Sequence, residues 1–215
     1  MVRPIKRKDM ITLTWGWQPP QFEKMSNGNI RVFYYSKPYT ETVEHENPET
    51  GEVETEERTS WRCNVVELND KYLNTMIREN PESLECQKRL LRERIMAYDS
   101  SEHVNSFSIG GVNTWLDKAT RVGLKLRFEA EKRLGKTETT LWQNGMQFPL
   151  SLVGDVTALD MLDGIELYAS TCYDITQSHL LNVANLKTID DIKNYNYTIG
   201  YPQQLKFKSK NSDTQ

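Results

Sequence analysis

The chain lacks most of what announces a reaction. Its three histidines, His45, His103 and His179, are isolated, with no HxH, HxxxH or HExxH spacing to hold a metal. Its three cysteines, Cys63, Cys86 and Cys172, are odd in number, far apart and without a CxxC pair. Neither a disulfide framework nor a zinc knuckle is therefore indicated, which suits synthesis in a reducing cytosol. No apolar stretch approaches the run of about 20 residues that crosses a membrane. The first ten residues, MVRPIKRKDM, are basic, but no apolar segment follows them, so they do not read as a secretory signal. A basic excess is missing too. Lys and Arg number 27 against 30 Asp and Glu, and the net charge of −3 argues against a general nucleic-acid binder. Hydrophobic residues make up only 37% of the 215 positions, so five Trp and ten Tyr must supply much of the apolar area.

Catalytic motifs are absent in the same way. The stretch GGVNTWLDKATR at 110–121 gathers glycine, threonine, aspartate and two cations, but GxxxxGK[ST] and GxGxxG both fail there. It reads instead as the start of a helix, with Thr114 as N-cap and Asp117 three residues on. No GxSxG or CGxC context supports a nucleophile. Cys172 falls on the apolar stripe of a helix, as an inert core thiol would. Asp155, Asp160 and Asp163 gather where a long helix begins, and there they complement its dipole. The expectation is a non-enzymatic protein with no catalytic residue, no metal and no cofactor.

What is present reads as α+β. Residues 11–68 alternate like strands, broken by QPP, by SNGN and by the NPETGE loop. Two long runs around that last loop make a β-ribbon. Its distal part carries Glu41, Glu44, Glu46, Glu49, Glu52, Glu54, Glu56 and Glu57 with almost no apolar residue. Such a tip either projects into solvent or meets a basic partner. Residues 69–99 turn helical, with Pro81 in a first turn and Leu84, Leu91, Ile95 and Tyr98 at helical spacing. The polar DSSEHVNSFSIGG stretch marks the boundary between an N-terminal β-rich docking region, 1–103, and a C-terminal module, 104–215.

That module is expected to pair two long antiparallel helices with a β-hairpin. The first helix carries Trp115, Ala119, Val122, Leu126, Ala130 and Leu134 as its buried stripe and stops at Gly135. Asn144-Gly145 turns the hairpin. The second helix spans roughly 155–184, buries Val156, Leu159, Leu162, Ile165, Ala169 and Cys172, and uses Gly164 to approach the first. TIDDIKNYN gives a capped short helix and YTIGYPQQLKF an extended tail. Trp115, Leu126, Trp142, Leu162 and Tyr168 are expected to bury one another, so that 104–215 folds alone.

The N-terminal aromatics have another use. Trp15 and Trp17 share a face of an extended segment, and Tyr34, Tyr35 and Tyr39 lie nearby. Exposed Trp and Tyr beside an edge strand compose a protein–protein interface, although the same residues serve equally to fill a small β core. A lone ribbon is marginal in water, so self-association is expected, with a homodimer favoured and a trimer second.

From Trp115 to Arg121 (WLDKATR), Gly135 to Trp142 (GKTETTLW), Tyr168 to Asp174 (YASTCYD) and Gly200 to Pro202 (GYP), the chain resembles a domain family of unassigned biochemistry. That family occurs near the C-termini of tail-fibre and fibre-assembly proteins of tailed phages and prophages of gut Bacteroidales. Head-fibre proteins of crAss-like phages are similar. The resemblance covers roughly the last half of the chain and brings no catalytic residues. It implies a virion component, head or tail fibre, made in the host bacterial cytoplasm, with itself and other virion proteins as partners and neither nucleic acid nor membrane. Two alternatives stay open: a fibre-assembly chaperone that leaves the finished particle, and a hydrolase or nuclease accessory protein, which needs a metal or nucleophile cluster.

Overall fold

A computed structural model describes residues 10–15, 17–46 and 53–208. The fold is α+β, and the chain forms two compact units. The first takes the described residues up to Ser100 together with His179–Ile199; the second takes Ser101–Ser178 with the residues from Gly200.

In the first unit, β1 (Met10–Trp15), β2 (Phe22–Lys24), β3 (Ile30–Glu46) and β4 (Val53–Leu68) form an antiparallel sheet in the order β1-β4-β3-β2. The short strand β2 was not anticipated, because its three residues give no alternation to read. Between Tyr34 and Lys37 the β3–β4 register shifts, and the extra residue is a β-bulge. Pro38 follows within β3, a position tolerable only where one side of the strand is unpaired. Ile30, Val32, Phe33, Tyr34, Cys63, Val65 and Val66 are all buried. The helix α1 (Lys71–Glu79) starts at Asp70, whose carboxylate accepts from the Tyr72 and Leu73 N–H groups at 2.9 and 3.0 Å. The N-cap of α2 (Leu84–Asp99) is Ser83, so Pro81 lies in the turn before the helix and not in its first turn.

Leu91 and Ile95 of α2 pack with Val183 and Ile192, the latter on α5 (Ile189–Asn194). Lys88 Nζ donates to the Ala184 carbonyl at 2.8 Å. His179 is 8% exposed and sits between the Tyr195 hydroxyl (Nδ1, 2.7 Å) and the Ile199 carbonyl (Nε2, 3.0 Å). A carbonyl only accepts, so in the neutral ring Nε2 carries the proton and Nδ1 accepts from Tyr195. Thr188 and Asp191 complete a capping box on α5. These contacts hold 179–199 in the first unit, whereas the sequence assigned that segment to a 104–215 module. Apolar spacing shows which residues of a helix are buried but not what they are buried against.

In the second unit, β5 (Phe107–Ile109) pairs antiparallel with β6 (Val112–Thr114) and parallel with β9 (Lys206–Phe207). The hairpin of β7 (Glu138–Gln143) and β8 (Met146–Ser151) turns at Asn144 and Gly145, with φ of 52° and 76°, as the Asn-Gly pair predicts. Two helices complete the unit: α3 (Lys118–Arg133) and the first part of α4 (Ala158–Asn185). They run antiparallel, because Arg121 meets Glu166 while Lys125 meets Asp163. Gly164 does allow a close approach, but of Phe207, whose ring lies 4.0 Å from where a Cβ would stand. Phe107, Ile109, Leu116, Phe128, Leu141 and Ile165 form the centre of the core.

A fragment of residues 104–215 retains that core but loses Leu91 and Ile95. It is expected to melt cooperatively with protected amides in α3 and the hairpin, while 179–199 exchanges freely. Protection of 179–199 equal to that in the whole chain would show that Leu91 and Ile95 are not what holds it.

Candidate interaction surfaces

The aromatic residues proposed for an interface part company in the structure. Tyr34 is 1% exposed, a core residue whose phenol burial pushes well above its usual pKa, so it drops out of any surface. Tyr39 is half-buried, with Arg62 5.1 Å from its ring centre and its hydroxyl donating to Glu41 at 3.1 Å. Trp17 is 65% exposed and lies in a bend after β1, not in line with Trp15 on a strand. The side chains of Trp15 and Tyr35 lie outside the described part of the chain.

The more informative surface is on α3. Its N-cap is Asp117, which accepts from the Thr120 N–H at 2.7 Å. Thr114 is not the cap, because pairing with Phe107 takes it into β6. The buried side of α3 carries Arg121 and Phe128, with Leu124 packed against the core. Arg121 is 7% exposed. Its Nε donates to Glu166 at 2.8 Å, its Nη1 to the Leu116 carbonyl at 2.6 Å, and its guanidinium lies 5.5 Å from the Trp115 ring centre. These partners satisfy a buried cation that would otherwise be costly.

Fixing Arg121 and Phe128 inward rotates the expected stripe outward. At 100° per residue, Val122 and Leu126 stand opposite Arg121, Leu124 and Phe128. They are 51% and 63% exposed, and Leu134 is 81% exposed. Val122, Leu126 and Leu134 of the stripe read as core thus face solvent, while Trp115, ahead of the helix, packs against the core. Two other expected core residues, Val156 and Trp142, are 73% and 62% exposed. Lys118 and Arg133 border the α3 strip against Glu129.

The first unit presents the opposite charge. β1 pairs with β4 no further than Trp61, and β2 with β3 no further than Val32. Beyond them, Tyr39–Glu46 and Val53–Ser60 form a two-stranded arm. On one face Glu41 is neutralised, accepting from Arg58 at 2.9 Å and from Ser60 at 2.5 Å. On the other, Glu44, Glu46 and Glu57 lie exposed with Val53. Glu49 and Glu52 lie outside the described residues.

Asp160 accepts from the Thr157 N–H and hydroxyl at 2.8 and 2.6 Å, which caps α4, and Asp163 pairs with Lys125 at 2.6 Å. Cys63, Cys86 and Cys172 are buried, and none of them forms a disulfide. Among the described residues no group of three His, Cys, Asp or Glu is placed for a metal ion. No helix among them is long and apolar enough to cross a membrane. A mainly apolar groove of about 390 Å³ opens beside Leu150, Val156, Met161 and Phe207, with Lys206 and Lys208 in its lining. Compared with protein-family models, curated proteins and solved structures, the chain matches none.

Two measurements check this reading. Phe128→Ala is expected to cost about 3–5 kcal/mol of stability. Leu126→Ala, on the exposed strip, should stay within about 0.5 kcal/mol. Denaturant titration separates the two, and equal losses would return Leu126 to the core.

The second check concerns Asp70, which pairs with Arg89 at 3.1 Å, while Arg89 also meets the buried Glu93 at 3.2 Å. Burial raises the Asp70 pKa, but the Leu73 and Tyr72 N–H groups and Arg89 outweigh it and hold the carboxyl below its usual value. A depressed carboxylate stabilises the fold above its ordinary pKa, and that contribution is lost as pH falls through the folded value. Asp70→Asn should therefore lower the melting temperature near neutral pH, and the gap should close below about pH 3.8. A gap that persists in acid would place the effect in the cap alone.

Proposed function

We propose that the chain is a non-enzymatic structural subunit of a tailed-phage virion, a head- or tail-fibre component that self-associates and docks on other virion proteins. The observation that carries this reading is the acidic arm. Among the described residues it runs past both flanking strands, encloses no core of its own and places carboxylates on exposed faces. Such an arm contributes little to the stability of its own chain, whereas a contact with a second molecule gives its open edges and charges a partner. The exposed α3 strip gives the second unit a surface of the same kind. The resemblance of residues 115–202 to fibre-associated domains supplies the phage setting, and with it production in a bacterial host cytoplasm.

Quantitative mass spectrometry of purified particles tests this function. Several copies per virion are expected. Abundance in infected cells with absence from finished particles would overturn the structural role in favour of an assembly chaperone.

A further inference from the structure

We infer that the arm of one copy docks along the outward face of α3 of a second copy. The inference deepens the self-association just proposed and rests on the reading of the chain as an assembly subunit, though not on its phage setting. On α3, six cations stand against two carboxylates, and two of the cations, Arg121 and Lys125, already pair with α4. Lys118 and Arg133 remain beside Val122 and Leu126 on the solvent side, against the single carboxylate of Glu129. Desolvating a strip with this border calls for an acidic occupant with some apolar area. The arm has that composition: Glu44, Glu46 and Glu57 share one face with Val53, which is 66% exposed.

Dimensions agree with charge. The 16 residues of α3 extend about 24 Å at the helical rise, and the seven strand residues from Thr40 to Glu46 extend about the same. Charge also removes the simpler pairings. Two α3 faces would bring cations together, and two arms would bring carboxylates together, and like charges meeting across a contact oppose it. The complementary contact joins unlike surfaces. It closes into a two-fold dimer if the exchange is reciprocal and into a ring or filament if it is not.

Light scattering on the full-length protein tests the contact, followed by two charge reversals. Wild type is expected to associate, and to do so more weakly when salt rises from about 0.05 M to about 0.5 M. Glu44→Lys, Glu46→Lys and Glu57→Lys together should weaken association by about tenfold or more, as should Lys118→Glu with Arg133→Glu. The deciding sample mixes the two variants, each shown to melt like wild type. The reversed arm of one then meets the reversed α3 face of the other, and association returns. A wild-type monomer at low salt, an oligomer indifferent to both reversals, or a mixture that stays dissociated overturns the proposal. These outcomes stand apart from particle composition: a chain missing from virions that still passes the mixing experiment loses the fibre role and keeps the contact.

Discussion

The second unit is organised around one buried cation. A guanidinium this far from water persists only with its charge and donors matched, and Arg121 finds Glu166, the Leu116 carbonyl and the Trp115 ring. Those partners lie on two segments: α4, and the loop between β6 and α3 that carries both Trp115 and Leu116. Satisfying Arg121 therefore sets the rotation of α3 about its axis and its distance from α4. The rest follows from helical geometry. With Arg121 inward, Phe128 seven residues on also points inward, and the unit closes over its ring. Val122 and Leu126 are then outward whatever their hydrophobicity.

That constraint explains where the sequence was legible and where it was not. Several features decided by a few neighbouring residues read correctly, although Thr114 as a cap and Pro81 in a first helical turn did not. Asn144-Gly145 makes its turn because both residues accept positive φ. Gly135 ends α3, with its own N–H on the Lys132 carbonyl and that of Lys136 on Glu131. Thr188 and Asp191 cap α5 reciprocally. The face of α3 did not read correctly, because two stripes compete on it. Ala119, Val122, Leu126 and Ala130 outrank Arg121, Leu124 and Phe128 on hydropathy, and only the partners of Arg121 reverse the ranking, Glu166 lying 45 residues away on another helix. Tyr34 failed for a related reason. A tyrosine before a bulge has the same letters whether its ring faces water or core. The register around it and the cover from α2 decide, and neither is local.

The candidate surfaces were half visible. The acidic ribbon stood out in the sequence because eight glutamates in 17 positions leave too few apolar residues for a buried face. Its counterpart on α3 was hidden by being apolar: a strip that suits a core is read as core until something else fills the inward positions. Aromatic content misled in the other direction. Tyr34, Trp115 and Tyr168 act chiefly inside, and Tyr168 even spends its hydroxyl on the Val104 carbonyl at 2.8 Å.

The arm holds its register without a core to set it. A ribbon of polar residues with both edges open is the kind of pairing most prone to slip. Here charge supplies what packing lacks. Along the described pairs each glutamate faces something other than a glutamate: Arg58 opposite Glu41, Thr42 opposite Glu57, Val43 opposite Glu56, Thr55 opposite Glu44, His45 opposite Glu54 and Val53 opposite Glu46. A slip of two residues, the smallest that keeps the faces, sets Glu44 against Glu57 in one direction and Glu41 against Glu56 in the other. Like charges directly across a ladder are destabilising, so either slip is opposed. The same glutamates that deny the arm a buried face thereby fix which of them point together. One face has Glu41 tied to Arg58, and the other presents Glu44, Glu46 and Glu57 unneutralised beside Val53. A defined face, and not a diffuse acidic cloud, is what a specific partner needs, and the register is what defines it.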